Sequence, residues 1–225
     1  VLISPDDRNL IIEGSETRRK FIDGIISQTD KEYLNNLIDY NKTLKQTNAL
    51  LKMFYDNSDN IRKTIDIYDR QLSSDAQKIY DKRREFLNEF IPIFKSRYKE
   101  LSNDKENVEI KHSSDISPDQ NLYKLLKNSL EKDLRFQYTT KGIHKDDLNL
   151  SLDNFPIKKY GSQGQQKTFL IAIKLAQFDY LSKLDSKPIL LLDDIFDKLD
   201  DSRVKQIINP VSYTHLRAHE TLTYL

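Results

Sequence analysis

The residues best suited to chemistry lie between positions 160 and 203, where glycines, a helix start, an apolar run and paired carboxylates follow at meaningful spacing. Gly161-Ser162-Gln163-Gly164-Gln165-Gln166-Lys167-Thr168 opens a run whose apolar positions Phe169, Ile173, Ala176, Tyr180 and Leu184 recur every three to four residues, predicting an amphipathic helix. The turn therefore sits at a helix N-terminus. Unpaired N–H groups and the positive end of the helix dipole suit an anion there, and two glycines allow close backbone approach, so phosphate is the natural guest. After a short polar turn, Pro188-Ile189-Leu190-Leu191-Leu192 is a continuous apolar run that predicts a short strand buried on both faces. It ends in Asp193-Asp194, at the strand end where α/β proteins hold their ligands. Two adjacent carboxylates can divide the work: one holds Mg2+, usually through water, and the next orients an attacking water. The stretch predicts part of an ATP site.

The preceding chain must position this stretch. Val1-Leu2-Ile3 predicts a strand end, stopped by Ser4-Pro5-Asp6-Asp7, and Ser15 is placed to cap a helix over about residues 16–26. Arg18, Arg19 and Lys20 cluster on its first turns, either as a solvated face or as contacts for DNA phosphates. Leu34, Leu37, Asn41, Leu44, Asn48, Leu51 and Tyr55 alternate by three and four, and after the turn cluster Asn57-Ser58-Asp59-Asn60 a second stripe follows with Ile61, Ile65, Tyr68, Leu72, Ile79, Phe86, Phe90 and Ile93. An antiparallel helical hairpin is the simplest geometry, with a kink or break at Pro92. Asn41 and Asn48 either fix its register or lie on exposed seam edges.

Beyond the hairpin, residues 108–112 alternate like a strand, and 113–119 form a polar loop. Leu122, Leu125, Leu126, Leu130 and Leu134 predict a helix made basic by Lys124, Lys127, Lys132 and Arg135. Phe136-Gln137-Tyr138 begins an extended piece, Gly142 a turn, and Leu148, Leu150 and Leu152 a further strand. His144 with Asp146 and Asp147 is thin for a metal site, and a structural turn is the simpler reading.

Composition narrows the classes. Lys and Arg total 36 against 35 Asp and Glu, so bulk charge predicts no nucleic-acid affinity and any DNA contact must come from local patches. The absence of cysteine excludes disulfides and thiolate metal sites and fits a cytoplasmic protein. No apolar run approaches the roughly 20 residues of a membrane span.

Three motifs in order carry a resemblance. Ser162-Gln163-Gly164-Gln165 resembles the signature loop of ABC-type ATPases, residues 189–194 their Walker B strand, and Phe196-Asp197-Lys198-Leu199-Asp200 their D-loop. The spelling GSQGQQKT followed by LLLDDIFDKLDDSR resembles the RecF family of bacterial recombination-mediator ATPases, as do Leu2-Ile3-Ser4-Pro5-Asp6-Asp7, Arg18-Arg19-Lys20-Phe21-Ile22-Asp23, residues 40–52 and Gly142-Ile143-His144-Lys145-Asp146-Asp147-Leu148. Ile143 stands where that family usually has proline. Gly161 replaces the leucine usual in ABC signature loops, and Asp194 the glutamate of many ABC enzymes, a shorter acid that implies slow hydrolysis.

The resemblance implies an α/β fold: a partial ABC-type ATPase head, built from both chain ends, with an inserted α-helical hairpin arm. Residues 1–14 would end the N-terminal ATPase lobe, 15–105 form the arm and 106–209 the C-terminal lobe. It further implies a head-to-head, ATP-dependent homodimer acting on DNA at gaps with recombination-mediator proteins, nucleoid-associated in the cytoplasm. In that dimer Ser162, Gln163, Gly164 and Gln165 would contact the nucleotide of the partner, Asp193 would support Mg2+, Asp194 would orient water, and Leu199 and Asp200 would lie in the D-loop.

The phosphate-cradling GxxxxGK[ST] loop occurs nowhere in the chain, and Val1 starts directly in an apolar run, which predicts missing upstream sequence and a fragment that does not hydrolyse ATP alone. Residues 210–225 resemble an in-frame translation of a transposase sequencing adaptor and are read as non-native, so the i, i+4 pair His215 and His219 carries no metal assignment. Two other readings stay open: a short-armed SMC or Rad50 relative, and a non-catalytic helical scaffold whose arm over residues 31–101 binds a partner.

Overall fold

The computed structural model describes residues 1–53, 59–117, 121–183 and 188–193. In chain order it contains β1 (Leu2–Ile3), a 3-10 turn (Pro5–Arg8), α1 (Asn9–Ile12), α2 (Ser15–Thr29), α3 (Lys31–Met53) and α4 (Asp59–Ser102). There follow β2 (Val108–Ser113), α5 (Leu122–Phe136), a second 3-10 turn (Ile143–Lys145), β3 (Asp147–Leu152), β4 (Phe155–Pro156), α6 (Ile157–Tyr160), α7 (Gln163–Ser182) and β5 (Leu191–Leu192). The chain is α/β and mostly helical.

The two apolar stripes become α3 and α4, and they run antiparallel. Asp30 meets Lys82, whereas Asp39, farther along α3, lies close enough for its charge to act on Asp75, farther back along α4, so advancing along α3 means retreating along α4. The α4 stripe is buried as its spacing predicts, through Ile65, Leu72, Ile79, Phe86 and Phe90. On α3 the buried face is displaced from the leucine stripe: Tyr33, Tyr40, Thr43, Thr47 and Leu51 turn inward, while Leu34 is exposed. Asn48 is neither a register device nor a seam edge, since its side chain accepts from Thr139 N at 2.7 Å and Thr139 Oγ1 at 3.0 Å.

Pro92 does not interrupt α4. It removes one backbone donor, but aromatic packing against α7 clamps the helix on both sides of it. Before it, Phe86 meets Tyr180 edge-on at 4.9 Å between centroids; after it, Phe94 and Tyr98 meet Phe169 at 4.8 and 5.9 Å. Each such ring contributes about 1.5–3 kcal/mol by leaving water. Helix α7 is correspondingly buried nearly all round from Thr168 to Ile173, rather than on one amphipathic face, because it lies between α4 and the β1 end of the chain.

Two small sheets complete the fold. Strands β2, β3 and β4 form an antiparallel sheet with Val108 opposite Leu152 and His112 opposite Leu148. β1 and β5 pair in parallel, Leu2 opposite Leu191 and Ile3 opposite Leu192. The strand near position 190 is therefore covered on one face only: Leu190 is buried, while Ile189 is 69% and Leu191 57% exposed, beside Leu2 at 48%. Local differences from the sequence reading have simple causes. Gly14, with extended ψ, precedes α2 in place of a Ser15 cap, and Gln137 in the left-handed region turns the chain after α5 where an extended piece was expected.

Candidate functional site

The turn before α7 is built by reciprocal capping. Ser162 Oγ accepts from Gln165 N at 3.2 Å, and Gln165 Oε1 accepts from Ser162 N at 2.7 Å. Gln165 Nε2 also donates to Glu106 Oε1 at 2.9 Å, tying the turn to the chain ahead of β2, and Gln166 Nε2 donates to Gly161 O at 3.0 Å. The first intrahelical bond runs from Gln166 N to Ser162 O. The N–H groups of Gln163 and Gly164 precede it, so they lie at the positive end of a 20-residue helix without an intrahelical acceptor.

The two glycines have opposite reasons for being there. A Cβ on Gly161 would stand 2.7 Å from the Ile157 carbonyl oxygen and 2.7 Å from Ile157 Cγ1, so the fold itself excludes a side chain where ABC signature loops carry leucine. A Cβ on Gly164 would have only Ser162 Oγ, at 4.0 Å, for a neighbour. Nothing inside the chain requires that glycine, and in a helix it costs up to about 1 kcal/mol relative to alanine.

Asp193 follows β5, its N–H donating to Ile3 O at 2.9 Å, and its exposed carboxylate makes no ion pair among the described residues. One free carboxylate at a strand end fits Mg2+, which is commonly held by one or two carboxylates, water and substrate phosphates. Asp194, Leu199, Asp200 and the rest of the D-loop lie outside the described residues, as do the turn at Asn57, Pro118 and residues 210–225.

The turn before α7 and Asp193 lie at different levels along that helix. Midway along that helix, Lys174 Nζ donates to Asp7 Oδ1 at 3.1 Å, beside the end of β1 and hence of its parallel neighbour β5. Gln163 is eleven residues earlier, about 16 Å farther along the axis at 1.5 Å per residue.

Of the basic cluster, Arg18 is committed internally. Its guanidinium pairs with Asp147 at 2.7 and 3.0 Å and donates to Leu10 O and Glu13 O. Arg19 is half-buried and donates to Asp146 O at 2.6 Å; burial first, then the charge of Arg83, lowers its pKa. It lines a cleft of about 250 Å³ with Lys20, Asp23 and Tyr40, and Lys20 pairs with Glu16 on the surface.

The Gly142 turn is structural. Gly142 has φ +126°, and a Cβ there would meet the Tyr40 hydroxyl at 2.6 Å. His144 Nε2 donates to Thr139 O at 2.9 Å, leaving Nδ1 to accept from Tyr40 Oη at 2.7 Å, so the ring is neutral; burial pushes its pKa down to about 4. Asp146 accepts from Arg83 and His112, and Asp147 from Arg18. Among the described residues no cluster of three such groups is arranged to hold a metal. Arg83 itself went unnoticed in the sequence. It is 1% exposed and binds Asp23, Asp146 and the Ile143 carbonyl.

No family model matches the chain. Over 213 residues, 94% of the chain, it is 52% identical to the DNA replication and repair protein RecF of Flavobacterium johnsoniae and covers 59% of that protein. The RecF of Bacteroides thetaiotaomicron is 48% identical over 213 residues, 94% of this chain and 57% of that one. A solved structure of the recombination mediator protein RecF-ATP in the RecFOR pathway superposes with a TM-score of 0.86 at 32% identity, covering 95% of this chain and 59% of its own. The chain thus spans somewhat under three fifths of the relatives it matches. No helix of the described residues is long and apolar enough to cross a membrane. Agreement in sequence and in backbone along nearly the whole chain makes it a homologue of RecF, corresponding to part of a RecF protein.

Proposed function

We propose that the chain is the distal part of an ATP-gated, DNA-binding ATPase of recombinational repair and replication, an ABC-type head with the α3–α4 hairpin as its arm. The observation that carries this reading is the Ser162–Gly164 turn, with two backbone amides ahead of the first intrahelical bond and a glycine whose missing side chain would meet no atom closer than 4.0 Å. Such a turn accepts an oxyanion brought by another surface. In the whole protein that surface would be a second copy carrying ATP on an upstream phosphate-binding loop. The turn caps the N-terminus of α7, whereas Asp193 is held to the β1 segment that meets the middle of that helix through Asp7 and Lys174, which favours nucleotide sandwiched between copies over nucleotide held by one.

Within each copy, Asp193 would hold Mg2+ on its own nucleotide, and Asp194 would orient the attacking water. The metal would neutralise charge developing on the phosphates. Ser162, Gln163, Gly164 and Gln165 would complete the opposite site by hydrogen bonding to the terminal phosphate, so closure would report that ATP is intact. Hydrolysis would then release the pair, which suits a clamp on DNA at gaps that works with other mediator proteins.

The test uses the protein with its upstream residues. Size-exclusion chromatography with light scattering is expected to show dimers with ATP and monomers without it, and Ser162→Arg is expected to abolish the dimer while leaving nucleotide binding to the monomer intact. Dimers that persist with ATP in that variant would remove the turn from the nucleotide site.

A further inference from the structure

Helix α5 ends in an unusual surface. Phe136 is its last residue, Gln137 adopts the left-handed conformation at φ 60° and ψ 25°, and Tyr138 follows. That reversal sets the two rings side by side, 5.9 Å between centroids and tilted by 39°, with Phe136 48% and Tyr138 43% exposed. Lys132 Nζ stands 6.0 Å from the Phe136 ring centre and Lys145 Nζ 4.8 Å from that of Tyr138. Arg135 is exposed on the preceding turn.

Charge in this patch is one-signed. Lys132, Arg135 and Lys145 make no ion pair among the described residues, whereas neighbouring Lys127 and Lys141 are matched by Asp66 at 3.3 Å and Asp115 at 2.8 Å. Glu131 turns back to Arg62 at 3.0 Å. Asp133 is buried, and its oxygens accept from Ser129, Thr140 N and Thr140 Oγ1. Two exposed aromatic faces thus lie beside two lysines, a residue type that protein interfaces are depleted in, with polar Gln137 between the rings.

We propose that Phe136 and Tyr138, with Lys132, Arg135 and Lys145, form a stacking surface for single-stranded DNA. Unpaired bases present π-faces that lie on aromatic rings, while the phosphates between them are drawn to the cations; a base-paired duplex presents only its backbone and base edges to such a surface. The choice of DNA rests on the function proposed above, but none of these residues belongs to the turn before α7, and Lys145 adjoins Asp146, whose carbonyl accepts from Arg19 of the basic cluster.

The chain lacks tryptophan, so Tyr138→Trp introduces a single indole reporter without removing the aromatic face. Titrating that variant with an oligodeoxythymidylate of about 15 nucleotides is expected to quench the indole, and an abasic oligomer of equal length to leave it unquenched. By fluorescence anisotropy, Phe136→Ala/Tyr138→Ala is expected to weaken binding of the same probe about tenfold or more. Lys132→Gln/Lys145→Gln is expected to lower the salt slope by about 1.4, at roughly 0.7 per cation. Circular dichroism checks that these exposed substitutions leave the fold intact. If the unsubstituted chain binds the probe and the alanine pair binds it equally well, the surface is wrong while the DNA reading stands. If no single-stranded probe binds the unsubstituted chain, both fail. Loss of self-association in the alanine pair, with DNA binding unchanged, would identify the patch as a protein contact and overturn the proposal.

Discussion

Arg83 and Asp146 meet at 2.9 Å with their side chains 2% and 1% exposed, joining α4 to the turn before β3. Asp23 of α2 binds the other edge of the same guanidinium at 2.9 Å, so one cation holds three segments. Burial alone would lower the Arg83 pKa, but Asp23 and Asp146 outweigh it and hold it raised. Arg83→Met is therefore expected to destabilise the chain by about 3–5 kcal/mol, the cost of leaving buried carboxylates unpaired. In thermal denaturation this is a fall of roughly 10 °C or more. Adding Asp146→Asn to that variant is expected to restore part of the loss, because the stranded charge is gone.

The neutral His144 ring makes stability depend on pH. Its pKa is pushed down to about 4 by burial, against about 6.5 unfolded, so the unfolded chain binds the extra proton. Its contribution is complete above pH 6.5 and is lost as pH falls toward 4, to a total on the order of 3 kcal/mol. Thermal melts of the chain and of His144→Gln across pH 8 to 4 are expected to converge at the acid end.

How much of this was legible in the sequence follows from the kind of force involved. The α4 stripe, the strand at residues 108–113 and the helix start at Ser162 rest on local periodicity and capping, and each folds as its residues prescribe. Buried polar partners were not legible, because no local pattern says which distant group satisfies them. A clue nevertheless existed: Asp69, Ala76 and Arg83 lead at seven-residue steps to Phe90 of the apolar stripe, so two charges occupy seam positions that demand buried partners. Asn48 was misread for the same reason, since Thr139 lies 91 residues away. The exposed face beside β5 defied the continuous apolar run 188–192 because no layer of the described residues covers Ile189 or Leu191.

Asp69 is the second seam charge, and it acts in the opposite sense to His144. Burial first, then the nearby charges of Asp133 and Asp66, raise its pKa to about 7. Its contribution is present below about pH 4, the unfolded value, and is lost as pH rises through 7. Asp69→Asn is expected to raise the melting temperature at pH 8 by several degrees and to make little difference at pH 4. The two windows overlap with opposite signs, so each group is read as the difference between the chain and its own variant at matched pH.

Gly161 and Gly164 give the clearest separation of fold from function. Gly161→Ala forces a Cβ to within 2.7 Å of the Ile157 carbonyl oxygen and is expected to lower the melting temperature. Gly164→Ala meets nothing closer than 4.0 Å and removes backbone freedom from the unfolded chain, so it is expected to raise stability by up to about 1 kcal/mol. If phosphate approaches that backbone, the same methyl group stands in its path. ATP-dependent association of the protein with its upstream residues should then weaken although the fold has become more stable, a pairing that a purely structural glycine cannot produce. Unchanged association in the stabilised Gly164→Ala variant would show that the turn caps α7 and contacts no nucleotide.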